Sequence, residues 1–328
     1  MQNLNNRFSM GRRSALVLAL AATLGTGAWA QAWPSKPVRL LVGYSAGGGV
    51  DAMARLIAPR LSTLLGQQVV VDNRTGAAGL IAGDAVARAA PDGYTLMLGD
   101  SSLLIAQHLQ PRMSFDPIKA FTPVAGVFTL PLVIVANNEV PAKTPAEFVK
   151  LLKDNPGRYS YATSGVGTVH HLGFEMLKGQ ARTFVVHIPY RGASQIVPDV
   201  MSGQVPFGVV SATSAIAQAK AGKLRAVAVM NPVKLAGAED IAPLSDALPG
   251  FSAVPRLYML APAGTPAAIV ERLSDSLRTV MEAPDIAQIA AQQGAVPAYM
   301  PAGPLAADIV RESAEWGKVI REQKITAQ

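Results

Sequence analysis

The chain has 328 residues, a formal charge of +7, only 6% aromatic residues and no cysteine. That composition excludes a disulfide framework, a cysteine nucleophile and a lipid-anchoring cysteine, and it offers neither the Lys/Arg run nor the aromatic platform that nucleic acid needs. The length suggests two domains and can bury sizeable cores without covalent help.

Residues Met1 to Ala30 read as an export signal: Arg7, Arg12 and Arg13 make a basic start, Ala15 to Leu24 is a short apolar core, and Ala28-Trp29-Ala30 is a small-x-small cleavage pattern. The Arg12-Arg13 pair keeps twin-arginine export open beside the general route, although Ser14 and Ala15 lack the bulky apolar residue that twin-arginine export prefers. Cleavage near Ala30 removes three positive charges and lowers +7 to +4, a modest excess suited to small anions. The mature protein is then expected free in the periplasm, because no later stretch is long and apolar enough to cross a bilayer.

Val38 to Asp72 reads as strand, glycine-rich loop, amphipathic helix and strand, the smallest unit of a parallel α/β sheet. Val50, Met53, Ala54, Ile57, Leu61, Leu64 and Leu65 predict one buried stripe, with Gly66 ending the helix. The loop Tyr44-Ser45-Ala46-Gly47-Gly48-Gly49 puts bare N–H groups at a helix N-terminus, which suits either an anion or a tight turn. A second glycine-bearing loop spans Asn73 to Gly79 before a helix over Leu80 to Ala89. Strand Tyr94 to Gly99 then delivers Asp100-Ser101-Ser102 to the next helix start. In a parallel sheet these three strand ends share one rim.

Val124 to Asn137 is a long apolar run broken by Pro131, read as a strand pair that crosses into a second domain. Thr144-Pro145-Ala146-Glu147 opens a helix. Strand Tyr159 to Thr163, loop Ser164 to Thr168 and a helix from Val169 then repeat the opening pattern in other letters. Strand Phe184 to Ile188, loop Pro189 to Ala193, strand Val205 to Val210 and loop Ser211 to Thr213 extend this second domain, whose anion-suited rim is Ser164 to Thr168, Arg191 and Ser211. Past Asn231 the pattern loosens until a strand at Leu257 to Leu260 and a helix with Thr265 as cap and Pro266 first. The tail helix, Pro301 to Glu322, carries Leu305, Ile309, Trp316 and Ile320 on a face expected to pack on the first domain. The expected division is 33–130 with 250–328 as the first domain and 131–249 as the second.

Gly47-x-Gly49-x-x-Ala52 with Asp72 further on also matches a dinucleotide fingerprint, but export removes the chain from the NAD pool, the loop is long, and Asp51 opposes a pyrophosphate. Asp51 is expected to favour the helix dipole and to pair with Arg74. His170, His171 and Glu175 contain an i, i+4 pair that lacks a third metal ligand. Tyr190 reads as packing more than as a ligand contact. With no Gly-x-Ser-x-Gly elbow and no obvious carboxylate pair, enzyme chemistry has little support, and no cofactor is expected.

Gly47-Gly48-x-x-Asp51-x-x-Ala54-Arg55, Val70-Val71-x-Asn73-Arg74-x-Gly76, Pro91-Asp92-Gly93-Tyr94-Thr95-Leu96, Pro189-Tyr190-Arg191-Gly192-Ala193, Ala221-Gly222-Lys223-Leu224-Arg225 and Leu260-Ala261-Pro262-Ala263-Gly264-Thr265-Pro266 occur in that order. This series resembles the Bug-type extracytoplasmic solute receptors, the substrate-binding subunits of tripartite tricarboxylate transporters, over almost the whole mature chain. The resemblance implies an α/β periplasmic binding protein-like fold of two domains closing on a small carboxylate: a di- or tricarboxylate, an aromatic carboxylate or an acidic amino acid. The implied partners are that ligand and the membrane transporter subunits, with the receptor a monomer. A receptor of the same fold feeding a membrane sensor, and an exported enzyme, are the alternatives.

On the first rim the candidate ligand contacts are Tyr44, Ser45, Gly47, Gly48, Ser101 and Ser102. On the second they are Ser164, Gly165, Thr168 and Ser211. Two departures from the family pattern stand out: Val210 where many relatives carry Asp, and Arg256 near a position that is often aromatic. Arg256 is either a bidentate partner for a distal carboxylate or a solvated surface arginine.

Overall fold

Periodicity and turn chemistry turn the opening stretch into β1 (Val38–Val42), α1 (Gly49–Leu65) and β2 (Val69–Asn73). The computed structural model describes residues 33–110 and 112–326, so the signal expected over 1–30 lies outside the described residues. Helix α1 buries Val50, Met53, Ala54, Ile57, Leu61 and Leu65. Leu64, expected on that stripe, instead stands 43% exposed, because the 100° step rotates it off the face that Leu61 and Leu65 share. Gly66 closes the helix in the left-handed conformation (φ +72°), its N–H reaching Ser62 O at 3.0 Å.

Helix α2 (Leu80–Ala87), β3 (Thr95–Asp100) and α3 (Ser102–Leu109) follow, then β4 (Phe121–Thr129) and β5 (Leu132–Ala136), split at Pro131 as expected. Helix α4 (Pro145–Asp154) starts on a reciprocal cap: Glu147 N–H donates to Thr144 Oγ1 at 3.2 Å, and Lys143 N–H donates to Glu147 Oε2 at 2.7 Å. Next come β6 (Ser160–Thr163), α5 (Val169–Ala181), β7 (Val186–Pro189), α6 (Ala193–Met201), β8 (Phe207–Ser211), α7 (Ala212–Lys220) and β9 (Arg225–Val229). The chain closes with β10 (Arg256–Pro262), α8 (Ala267–Met281), α9 (Pro284–Gln292), β11 (Val296–Pro301) and α10 (Ala302–Glu322).

Three local expectations change. Helix α9 and strand β11 lie where the sequence reading saw no element. Thr265 does not cap α8; its hydroxyl donates to Pro262 O at 2.7 Å, and Pro266 takes the cap position ahead of the first helical residue. Strand β7 begins at Val186, two residues after the expected Phe184.

From Lys36 onward the residues form one compact unit containing two sheets. The first runs β11-β4-β10-β3-β1-β2 and the second β7-β6-β8-β5-β9. Each has a parallel trio, β2-β1-β3 and β7-β6-β8, continued by an antiparallel strand, β10 in one and β5 in the other. This is the expected architecture of two α/β domains, and in both trios every strand points its carboxyl end at its own rim. The chain passes between the sheets at Leu130-Pro131 and again between β9 and β10.

The tail helix makes a third link. Leu305 and Ile309 join the core of the first sheet with Leu41, Met97 and Tyr258, as expected. Trp316 and Ile320 depart from the expectation, because they lie in the second sheet's core with Phe148, Tyr161, Phe174 and Phe207, together with Ile105 and Leu109 of α3. At 1.5 Å per residue, a helix of 21 residues is long enough to serve both cores.

In that second core Phe174 stacks on Tyr161 at 3.7 Å between ring centroids and meets Phe148 edge-on at 6.3 Å. Phe174→Ala would remove a fully buried ring from both contacts. The expected loss is about 3–5 kcal/mol, read as the change in urea unfolding free energy.

Candidate functional site

The first rim is built on a turn that only small residues allow. A Cβ on Gly43 would stand 2.5 Å from Gly79 Cα, so the β1 loop and the turn before α2 touch backbone to backbone. Gly47 is left-handed (φ +79°), and its N–H donates to Asp51 Oδ2 at 2.9 Å. Asp51 also accepts from Arg55 Nε at 3.0 Å and from Asn73 Nδ2 at 2.9 Å. Burial alone would raise this carboxyl, but the hydrogen bonds from Arg55, Gly47 N–H and Asn73 outweigh it and hold it below the usual carboxylate range. The expected Asp51–Arg74 pair does not form. Arg74 turns to Asp72 at 3.4 Å, and Arg55, one helical turn from Asp51, takes the place.

Beneath the loop, Tyr44 donates its hydroxyl to the Asp100 carboxyl, 3.1 Å from both oxygens. Asp100 also accepts from Ser102 N–H at 3.1 Å. Burial pushes the Asp100 carboxyl up to about 6, with nearby Glu312 adding to the rise and the Tyr44 and Ser102 hydrogen bonds opposing it. Glu312 of α10 is raised as well, chiefly by burial. Two carboxyl groups with raised pKa therefore lie behind this rim.

Ser101 and Ser102 part company. Ser101 faces the interior, donating its hydroxyl to Glu312 Oε1 and accepting Arg256 N–H at 3.0 Å, so its side chain is consumed. Ser102 Oγ accepts from Val169 N–H at 3.4 Å and joins the first rim to the start of α5 on the second. The Arg256 backbone borders Ser101, but its guanidinium ion-pairs with Asp308 of α10 and lines a 280 Å³ cavity with Glu312 and Trp316. Neither sequence reading of Arg256 anticipated this partner, which comes from a helix 52 residues away.

On the second rim, Thr168 caps α5: its Oγ1 accepts His171 N–H at 3.2 Å and donates to Gly165 O at 2.8 Å. Ser164 is buried and Gly165 takes φ +124°. Ser211 Oγ lies 2.6 Å from Thr213 Oγ1 and 3.2 Å from Ser214 Oγ, a cluster of three hydroxyls at the end of β8. Tyr190 donates to Asp199 Oδ2 at 2.6 Å and packs on the core behind α6. Among the described residues no three His, Cys, Asp or Glu side chains are placed to share a metal ion.

The two rims face and touch. Ser194 Oγ donates to Ser45 Oγ at 2.8 Å. A Cβ on Gly49 would collide with Ser211 Oγ and stand 2.6 Å from Thr213 Oγ1, and one on Gly192 would collide with the Ser45 hydroxyl. Ser45, Ser102 and Ser211 thus meet at one seam, with the Gly47–Gly48 turn beside Ser45 and the Gly165 turn near Ala78 N at the other edge. The sequence reading placed Gly49, Asp100 and Thr213 in the rim loops without choosing them as contacts, and it missed Ser194 and Glu312. Gly49 ends the three-glycine run and Asp100 ends β3, so both carried a signal; Ser194 and Glu312 carried none.

Between the ordinary carboxyl value of 3.8 and about 6 the folded protein keeps the Asp100 proton that the unfolded chain has released, so this group subtracts stability as pH rises through that window. Asp100→Asn retains an acceptor for Tyr44 and Ser102 N–H and removes that loss. Relative to the parent it should gain about 2–2.5 kcal/mol on going from pH 4 to pH 7, measured as the difference in urea unfolding free energies at the two pH values.

Comparison with known proteins agrees with this architecture. The model of the tripartite tricarboxylate transporter family receptor matches residues 53–325. A Pseudomonas sp. (strain P51) relative, described as a UPF0065 protein in the tcbD-tcbE intergenic region, is 34% identical over 324 residues, covering 97% of this chain and 96% of its own. The periplasmic binding protein BugD superposes with a TM-score of 0.86 at 29% identity, covering 90% of this chain and 100% of its own. R. palustris Rpa4515, solved with adipate, does so with 0.86 at 28% identity, covering 90% and 99%. With its two α/β domains and their facing strand-end loops, the chain belongs to the tripartite tricarboxylate transporter receptor family.

Proposed function

We propose that this protein is an exported, monomeric solute-binding receptor that captures a small carboxylate in the periplasm and delivers it to the membrane subunits of a tripartite transporter. The two domains, 33–130 with 250–328 and 131–249, close on the ligand at the seam between their rims. The observation that carries the reading is the seam itself: small hydroxyl side chains from both parallel trios meet there, while Asp51 and Asp100 are bonded away beneath the first loop. Ligand contacts then come from Ser45, Gly47, Gly48 and Ser102 on one side and Ser164, Gly165 and Ser211 on the other.

A carboxylate gains about 1.5–3 kcal/mol from each charge-assisted hydrogen bond. A handful, less the cost of closure, reaches the roughly −8 kcal/mol of micromolar affinity. Rpa4515, similar over nearly its whole length, was solved with adipate, which supports a carboxylate for this chain too. Capture needs no chemical step, so the ligand is recovered unchanged. Among the described residues no helix is long and apolar enough to cross a membrane, in keeping with a receptor separate from its transporter.

A thermal-shift and calorimetric screen of adipate, malate and citrate tests the reading. At least one should raise the melting temperature, with about 2.7 kcal/mol of stabilisation at a hundredfold excess over Kd. Gly49→Val, which places a branched side chain against Ser211 and Thr213, should weaken that ligand at least about tenfold, with an unchanged far-ultraviolet spectrum showing that the variant is folded. No response to any carboxylate, or full affinity in Gly49→Val, would count against the seam.

A further inference from the structure

Behind the second rim lies a cavity of 420 Å³, within the range of about 300–1,000 Å³ typical of small-molecule pockets. Its wall includes Val166, His171, Glu175, Lys178, Phe184 and His187. Seam residues such as Ser45, Ser102 and Ser211 form no part of it. Its polar groups come from α5 and β7, from Thr183 between them, and from Gln323, Lys324 and Thr326 beyond α10.

Glu175 Oε1 accepts from Tyr161 Oη at 2.5 Å and from Lys178 Nζ at 2.7 Å, whereas Oε2 has no hydrogen bond among the described residues. The Lys178 ammonium gives one of its three protons to Glu175, which leaves two. His171 Nδ1 accepts from Gly167 N–H at 3.3 Å, so the neutral ring carries its proton on Nε2. That Nε2–H stands 3.8 Å from Glu175 Oε1, too far to be satisfied by it. The ring stacks on His187 at 4.3 Å between centroids. Burial holds both imidazoles neutral, His171 down to about 4 and His187 down to about 3. The apolar side of the cavity is Phe184, 57% exposed with its ring 5.4 Å from Lys178 Nζ, and Val166.

One cavity therefore presents a carboxylate oxygen, an ammonium and an imidazole N–H with free hydrogen-bonding capacity, and an aromatic wall. A bare anion would meet the free Glu175 oxygen, and a bare cation would meet Lys178 and Lys324. A metal lacks a ligand set here. The complementary molecule carries an ammonium and a carboxylate close together on an apolar body. We propose that this cavity is a second binding site, one that takes a zwitterionic α-amino acid with an apolar or aromatic side chain: its ammonium on Glu175 Oε2, its carboxylate on Lys178 and His171 Nε2–H, its side chain against Phe184. Because His171 also holds Gly167 of the second rim's loop, the occupant sits directly behind the seam.

The test is calorimetric titration of the mature protein with L-phenylalanine, 3-phenylpropanoate, which lacks the ammonium, and 2-phenylethylamine, which lacks the carboxylate. Phenylalanine should saturate one site, and each truncated probe should bind at least about tenfold more weakly. Lys178→Met and the surface substitution Phe184→Ala should each weaken phenylalanine about tenfold, with an unchanged far-ultraviolet spectrum showing that each is folded, and Gly49→Val should leave it unchanged. Equal affinity for 3-phenylpropanoate, absence of phenylalanine binding, or loss in Gly49→Val with none in Lys178→Met would overturn the proposal. Lys178 and Phe184 lie outside the seam, so failure of carboxylate capture at the seam leaves this result readable by itself.

Discussion

The arrangement depends on how closely two backbones approach at the seam. Gly49 against Ser211 and Thr213, and Gly192 against Ser45, occupy distances at which any side chain would stand in the way. Helix starts are thereby brought near enough to the opposite rim for short hydroxyls to bridge the gap, as Ser45 and Ser194 do. Larger residues would hold the rims apart and leave water between donors that are now oriented. Small side chains at a strand end are in this sense a geometric requirement, and the three-glycine run before α1 is its most visible trace in the chain.

A second constraint acts from behind. Asp100 ends β3 of the first trio, fixes Tyr44 under the rim loop, and lies near Glu312 of the last helix, with Ser101 bonded to that glutamate. Burying two carboxyl groups without a free cation is unfavourable when they ionise, since Arg256 is already engaged by Asp308. The structure retains them where they position the loop and where the loop, α3 and α10 converge.

Much of this was legible in the residues. The repeated strand, small-residue loop and helix start at Tyr44–Gly49 and Ser164–Thr168 marked both rims, and Pro131 marked the crossing between sheets, because turn chemistry and period act locally. What escaped depended on distance along the chain. Asp51 chose Arg55 over Arg74 because an i, i+4 neighbour is close by on the helix itself, whereas Arg74 had to compete with Asp72. Arg256 found Asp308, and Ser101 found Glu312, through the docking of α10, which no local pattern encodes. Strand β11, with Val296 exposed and prolines at Pro297 and Pro301, is an edge strand held by β4 and shows almost none of the alternation that would announce it.

The tail helix has a consequence for how the molecule comes apart. Its first half completes the interior of one sheet and its second half the interior of the other, with Trp316 and Ile320 seated among rings contributed by much earlier strands. Neither half of the protein can shed this helix without exposing its own hydrophobic interior, so the two share one cooperative melting event even though each has a complete set of strands. Folding, too, must wait for α10: the interior around Phe148 and Phe207 stays open on one side until that helix is laid across it.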